Sequence, residues 1–98
     1  MKQVTLQYNL PVNVLREGKK FVAFSPVLDL STSGDNFEEV NKRFVEIAEI
    51  FFEEIISKGT IDEVLSDLGW KKTTKQWQPP VLISQQSESI RVSQICPA

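Results

Sequence analysis

Residues 21–40 read FVAFSPVLDLSTSGDNFEEV, and the succession of residue types in that stretch decides the fold. Lys20 to Ser25 is a β-favouring run that Pro26 closes, because proline has no N–H to give to a ladder. Asp29 to Ser33 offers a further short extended run, and Gly34 leaves the backbone free to turn sharply, positive φ included. Asn36 followed by Glu39 has capping-box spacing, in which the Asn side chain accepts from a first-turn N–H. Strand, turn, strand and capped helix start follow one another without a spare residue.

Toward the C-terminus, Phe37, Val40, Phe44, Ile47, Ala48, Phe51, Ile55 and Ile56 recur at helical spacing until Gly59, a natural left-handed terminator. Thr60 and Glu63 repeat the capping-box spacing and predict a short helix over Ile61 to Leu68, ended by Gly69, with Trp70 folding back onto the core. KKTTKQWQPPVLISQQ, residues 71–86, is polar, basic and broken by Pro79 and Pro80, and reads as a connection. Ser89 to Ile95 alternates through Ile90 and Val92 and predicts a last strand.

Toward the N-terminus, Val4, Leu6, Tyr8, Leu10, Val12 and Val14 alternate with Thr5, Gln7, Asn9, Pro11 and Asn13, the period of a half-buried strand. Arg16 to Lys19 then reads as the turn of a hairpin. The expectation is one domain over residues 1–98, with 71–98 as an extension carrying the last strand. Its class is α+β, a small antiparallel or mixed sheet in the order β-β-β-α-α-β packed on one long helix. Val4, Leu6, Leu10, Val12, Val22, Phe24, Phe37, Val40, Phe44, Ile47, Phe51 and Ile55 are the expected core.

Composition narrows the chemistry. The chain has 98 residues, no histidine and a single cysteine, Cys96, so neither a Cys/His zinc site nor an intrachain disulfide can form within it. The commonest general base is missing as well. We therefore expect no catalysis, no metal and no cofactor. The longest uninterrupted apolar run, FVAF, is far below a membrane span, and the first residues lack the apolar core of a signal peptide, so a cytoplasmic protein is expected. Ninety-eight residues bury only roughly two thirds of their surface on folding, which favours a homo-oligomer, a dimer, built through strand edges and the C-terminal segment.

The net charge of −2 is unevenly spread: residues 29–68 hold 11 of the 13 acidic residues and 3 of the 11 basic ones, hence −8 there and +6 elsewhere. An acidic helix face carrying Glu46, Glu49 and Glu53 would speed encounter with a basic partner and repel nucleic acid. Ser31, Thr32 and Ser33, with Asp29 before them, form a polar strand able to pair with another chain. These seven residues are the candidate partner-binding set. Lys71, Lys72 and Lys75 beside Trp70 and Trp77 are too few for a nucleic-acid patch, and the tryptophans are expected to pack. A competing reading is a metal-dependent nuclease using Asp29, Asp35, Glu38 and Glu39, but capping and the helix N-terminus account for these and the first alternating run supplies no carboxylate to complete such a set.

With Phe21, Ala23, Pro26, Leu28, Gly34, Asp35, Glu38 and Glu39 so arranged, and eight residues from Pro26 to Gly34, the chain resembles the N-terminal domain of HicB-type antitoxins. GTIDEVLSDLGW, residues 59–70, is similar to the tail of stand-alone members of that group. The resemblance implies a partial ribonuclease-H-like fold and binding to a HicA-like toxin, a small basic ribonuclease. It departs from the family after Trp70, where the 28 remaining residues are too short and proline-broken for a DNA-binding helical domain. Asp29 and Leu30 also replace the family's Pro-Gly. An orphan, oligomeric HicB-like protein is the form these departures imply.

Overall fold

The computed structural model describes residues 7–94. Three strands, β1 (Asn13–Glu17), β2 (Lys20–Ser25) and β3 (Leu30–Gly34), form an antiparallel sheet in the order β1-β2-β3. Helix α1 (Phe37–Ser57) lies across one face, and α2 (Ile61–Asp67) follows it. A separate two-stranded ribbon, β4 (Lys71–Lys72) with β5 (Trp77–Gln78), closes the folded part. The architecture is α+β, and every strand pair among the described residues is antiparallel.

The α1 start follows the expected chemistry: Asn36 Oδ1 accepts from the Glu39 N–H at 2.8 Å. Gly59, at φ +70°, ends the helix, and the Gly59 and Thr60 N–H groups satisfy the Ile56 and Ile55 carbonyls. The second expected cap is not made. Thr60 gives no side-chain hydrogen bond, and α2 starts instead from its carbonyl, which accepts from Val64.

Three expected strand features are corrected. The described part of the N-terminal alternating run, Gln7 to Val12, is no strand; β1 begins at Asn13 and runs on through Arg16 and Glu17 to a two-residue loop at Gly18 and Lys19. Pro11 cannot donate to a ladder, and Tyr8 and Leu10 spend their alternation on a side-chain cluster instead. Ser89 to Gln94 form no strand, and β4 and β5 form a ribbon within the segment expected as a connection. Thr73 organises that ribbon's turn, its N–H and Oγ1 both donating to the Gln76 carbonyl. Val4, Leu6, Ile95 and Cys96 lie outside the described residues.

The core has two lobes. In one, Ala23, Val40 and Phe44 are buried with Val14, Phe21 and Ile47 packed around them, joining sheet to helix. In the other, Val27, Leu28, Ile55, Leu65, Trp70 and Trp77 gather beneath the second half of α1. Leu30 and Ala48 touch both. Trp70 does fold back: its indole N–H donates to the buried Val27 carbonyl at 2.8 Å, and Tyr8 stands edge-on to its ring at 5.3 Å.

Sheet orientation departs from the expected core. The helix sits on the face of Ala23 and Ser25, not that of Val22 and Phe24. Helix and sheet approach closely only over small side chains, and Ala23, Ser25 and Gly34 are the small, fully covered ones. Val22 and Phe24 share the opposite, outer face with Leu15, which is 57% exposed. Phe37 at the helix start and Val12 are exposed as well.

Candidate functional site

The seven candidate residues lie on two surfaces rather than one. Asp29 is exposed at the turn into β3 and holds φ at +52°, a conformation that aspartate tolerates better than most residues. Ser31 and Ser33 are exposed on the outer sheet face, whereas Thr32, opposite Ala23, turns inward and is half-buried. The three hydroxyl residues therefore do not form a single polar face, because successive side chains of a strand point to opposite sides.

The backbone of β3 follows from the hairpin register. The two-residue loop makes Glu17 and Lys20 the closing hydrogen-bonded pair, so Leu15 with Val22 and Asn13 with Phe24 are hydrogen-bonded pairs too. Val22 opposite Ser33 is then a non-hydrogen-bonded pair, and the backbone groups of Ser31 and Ser33 face the open edge. Arg43 uses this: its Nη1 donates to the Ser33 carbonyl at 2.9 Å while Nη2 pairs with Glu39 Oε1 at 2.6 Å. Lys20 and Asp35 close the same corner, and the Lys20 hydrogen bond and charge hold the Asp35 carboxyl below its ordinary value of 3.8.

Glu46, Glu49 and Glu53 are exposed on the side of α1 that faces away from the sheet. Among the described residues none of the three is in an ion pair, whereas Glu39, Glu54, Asp35 and Asp62 each have a Lys or Arg partner. With Glu38 in the first turn, they are the acids of α1 outside any ion pair among the described residues. Beside them runs a groove of 420 Å³ between α1 and the segment 7–12, walled by Tyr8, Leu10, Val45 and Phe52, with Glu49 on its lining. The apolar groove and the acidic stripe thus meet at Glu49.

The i,i+4 spacing of Glu39 and Arg43 gives the pair that forms, but the Arg43 bond to Ser33 and the outer sheet face are not legible in the sequence. Nor is the groove among its expectations, although the spacing of Val45 and Phe52, two turns apart beside the main apolar stripe, is the signal for it. For Arg43 the only local signal was its spacing from Glu39. Trp70 and Trp77 are buried, and Lys72 lies 5.8 Å from the Trp77 ring centre, so neither indole offers a free stacking face. Asp29 and Asp35 stand at opposite ends of β3. Among the described residues no three His, Cys, Asp or Glu gather as metal ligands, and no helix is long and apolar enough to cross a membrane. Compared with protein-family models, with curated proteins and with solved structures, the chain gives no match.

Proposed function

We propose that the chain is a cytoplasmic interaction module of the HicB-like antitoxin type, which binds a small basic protein and rests as a homo-oligomer, a dimer. The resemblance names the class of that partner, a HicA-like ribonuclease; without one, the same surfaces serve an orphan oligomeric binding protein. The observation that carries the reading is the meeting of unpaired acids and apolar groove at Glu49. Glu46, Glu49 and Glu53 would steer a basic protein inward, and the groove would take an apolar anchor from it once docked. The nuclease reading gains no support from carboxylates placed at opposite ends of one strand.

Calorimetric titration against a HicA-like ribonuclease, with RNA cleavage followed in parallel, tests this. Binding should be stoichiometric, should suppress cleavage, and should weaken between about 0.05 and 0.3 M salt. Reversing Glu46, Glu49 and Glu53 to lysine should weaken it by about tenfold or more. No binding and unchanged cleavage overturn the toxin reading, and equal affinity of the reversed variant overturns the role of the acidic stripe.

A further inference from the structure

We propose that residues 81–94 are an arm that adds a strand to the β1 edge of a second copy of the chain, the two copies exchanging arms about a two-fold axis. This deepens the oligomer reading above and rests on it. The arm has no secondary structure and is exposed throughout. Val81, Leu82, Ile83, Ile90 and Val92 are 53–89% exposed. Isolated apolar residues on a surface need no explanation, but this many within one short segment require a cover.

The arm's own fold does not provide it. Gln85 Nε2 donates to Asn13 Oδ1 at 2.7 Å, so the arm passes the first residue of its own β1, yet it forms no ladder there and buries none of its apolar side chains. Residues 86–94 then continue past that point. Nine extended residues reach about 30 Å, well beyond the roughly 17 Å of a five-residue strand, which is enough to lie along a neighbour's β1.

The choice of edge follows from the ladder. On β3 the Ser33 carbonyl is already taken by Arg43. On β1 the outward backbone groups belong to Val14 and Arg16, and no hydrogen bond from the described residues reaches them. The arm matches that edge. Ile90 and Val92 alternate with Ser89, Arg91 and Ser93, so a strand formed here carries both apolar side chains on one face, and the register that sets them beside Leu15 covers the exposed outer face. Each copy carries both the arm and the edge, so a reciprocal exchange leaves no arm and no β1 edge unpaired, and a second copy is the occupant that meets both needs at once.

Sedimentation equilibrium on the full chain and its full-length variants provides the test. The unaltered chain should be a dimer at micromolar concentration. Ile90→Asp with Val92→Asp should raise the dissociation constant at least about tenfold with unchanged far-ultraviolet circular dichroism, since both side chains are exposed in the single chain. Arg16→Pro should do the same, because Arg16 is exposed and the change removes an outward N–H. Should that variant unfold, disulfide trapping replaces it: in a Cys96→Ser background, Arg16→Cys is mixed with Ser89→Cys, Arg91→Cys or Ser93→Cys. A covalent dimer formed between the two populations supports the exchange. A monomeric full chain overturns both the arm and the oligomer reading. A dimer that tolerates the aspartates and traps no cross-link keeps the oligomer and rejects the arm. Trapping only within one chain, when both cysteines are placed together, shows the arm pairing with its own β1 and rejects the exchange.

Discussion

A Cβ on Gly34 would fall 3.0 Å from the backbone nitrogen of Val40 and 3.2 Å from its Cα, so the last residue of β3 is glycine because α1 rests directly on it. The sharp turn expected of Gly34 is not what requires glycine there: only Gly18, Gly59 and Gly69 adopt the left-handed region among the glycines. Gly34→Ala should cost about 1–3 kcal/mol, since the neighbour in the way is backbone and cannot swing aside. Gly18, at φ +61° with nothing within 4 Å of a Cβ, is limited by conformation alone, and Gly18→Asn should cost less. Urea titration of the two variants checks the order, and equal losses would refute the close-approach argument.

The Trp70 indole separates packing from hydrogen bonding. Trp70→Phe keeps most of the buried ring but leaves the Val27 carbonyl without its donor, an expected loss of about 1–3 kcal/mol. Trp70→Ala also empties the centre of the lobe formed with Leu28, Ile55 and Leu65, for about 3–5 kcal/mol. Thermal unfolding should rank the parent above the phenylalanine variant and that above the alanine variant. A phenylalanine variant as stable as the parent would mean that water replaces the bond.

Much of this fold was legible where local chemistry decides it. The Asn36 cap, the Gly59 stop, the full extent of β2 and the buried stripe through Val40, Phe44 and Ile55 follow from residues a few positions apart. What could not be read was decided at a distance. Alternation in β2 gives two faces but not which one the helix covers, and both are apolar; the choice went to Ala23 and Ser25 because small residues let the helix in. Of the alternating N-terminal residues, Tyr8 found partners in Trp70 and Trp77, far along the chain, and Leu10 packs on the same cluster, rather than either joining a ladder. The acidic residues of α1 were legible from helical spacing. That Arg43 reaches Ser33 was not, because its spacing predicts only the bond to Glu39.

Asp35 should titrate below 3.8, its ordinary value, because Lys20 donates a hydrogen bond to the carboxylate and adds its positive charge. A depressed carboxyl pKa stabilises the fold above the unfolded-state value, and that contribution is lost as pH falls through the lower, folded one. The window therefore lies below 3.8. In Lys20→Gln the Asp35 midpoint, followed by carboxyl-carbon NMR, should rise toward 3.8, and stability should fall less steeply below that pH. Added salt should move the parent in the same direction, since the pair is exposed. A midpoint that ignores both changes would remove Lys20 as the cause.

Arg43 guards a strand edge, and its loss should show in association rather than in stability. An unpaired strand offers its outward backbone groups to any other chain, and folded proteins commonly blunt such an edge with a charged side chain. In β3 those groups belong to Ser31 and Ser33, and the Arg43 guanidinium occupies the Ser33 carbonyl while Glu39 fixes its other nitrogen. Both ends of this arrangement lie at the surface, so Arg43→Ala should change unfolding free energy by less than about 1 kcal/mol. It should nevertheless free the β3 edge for antiparallel pairing with the same edge of another molecule. Light scattering at rising concentration should then report species larger than the parent forms. Arg43→Lys, which keeps the charge but lacks the planar fork, should fall between the two. If Arg43→Ala scatters as the parent does at equal concentration and equal helix content, the edge is protected by something other than Arg43.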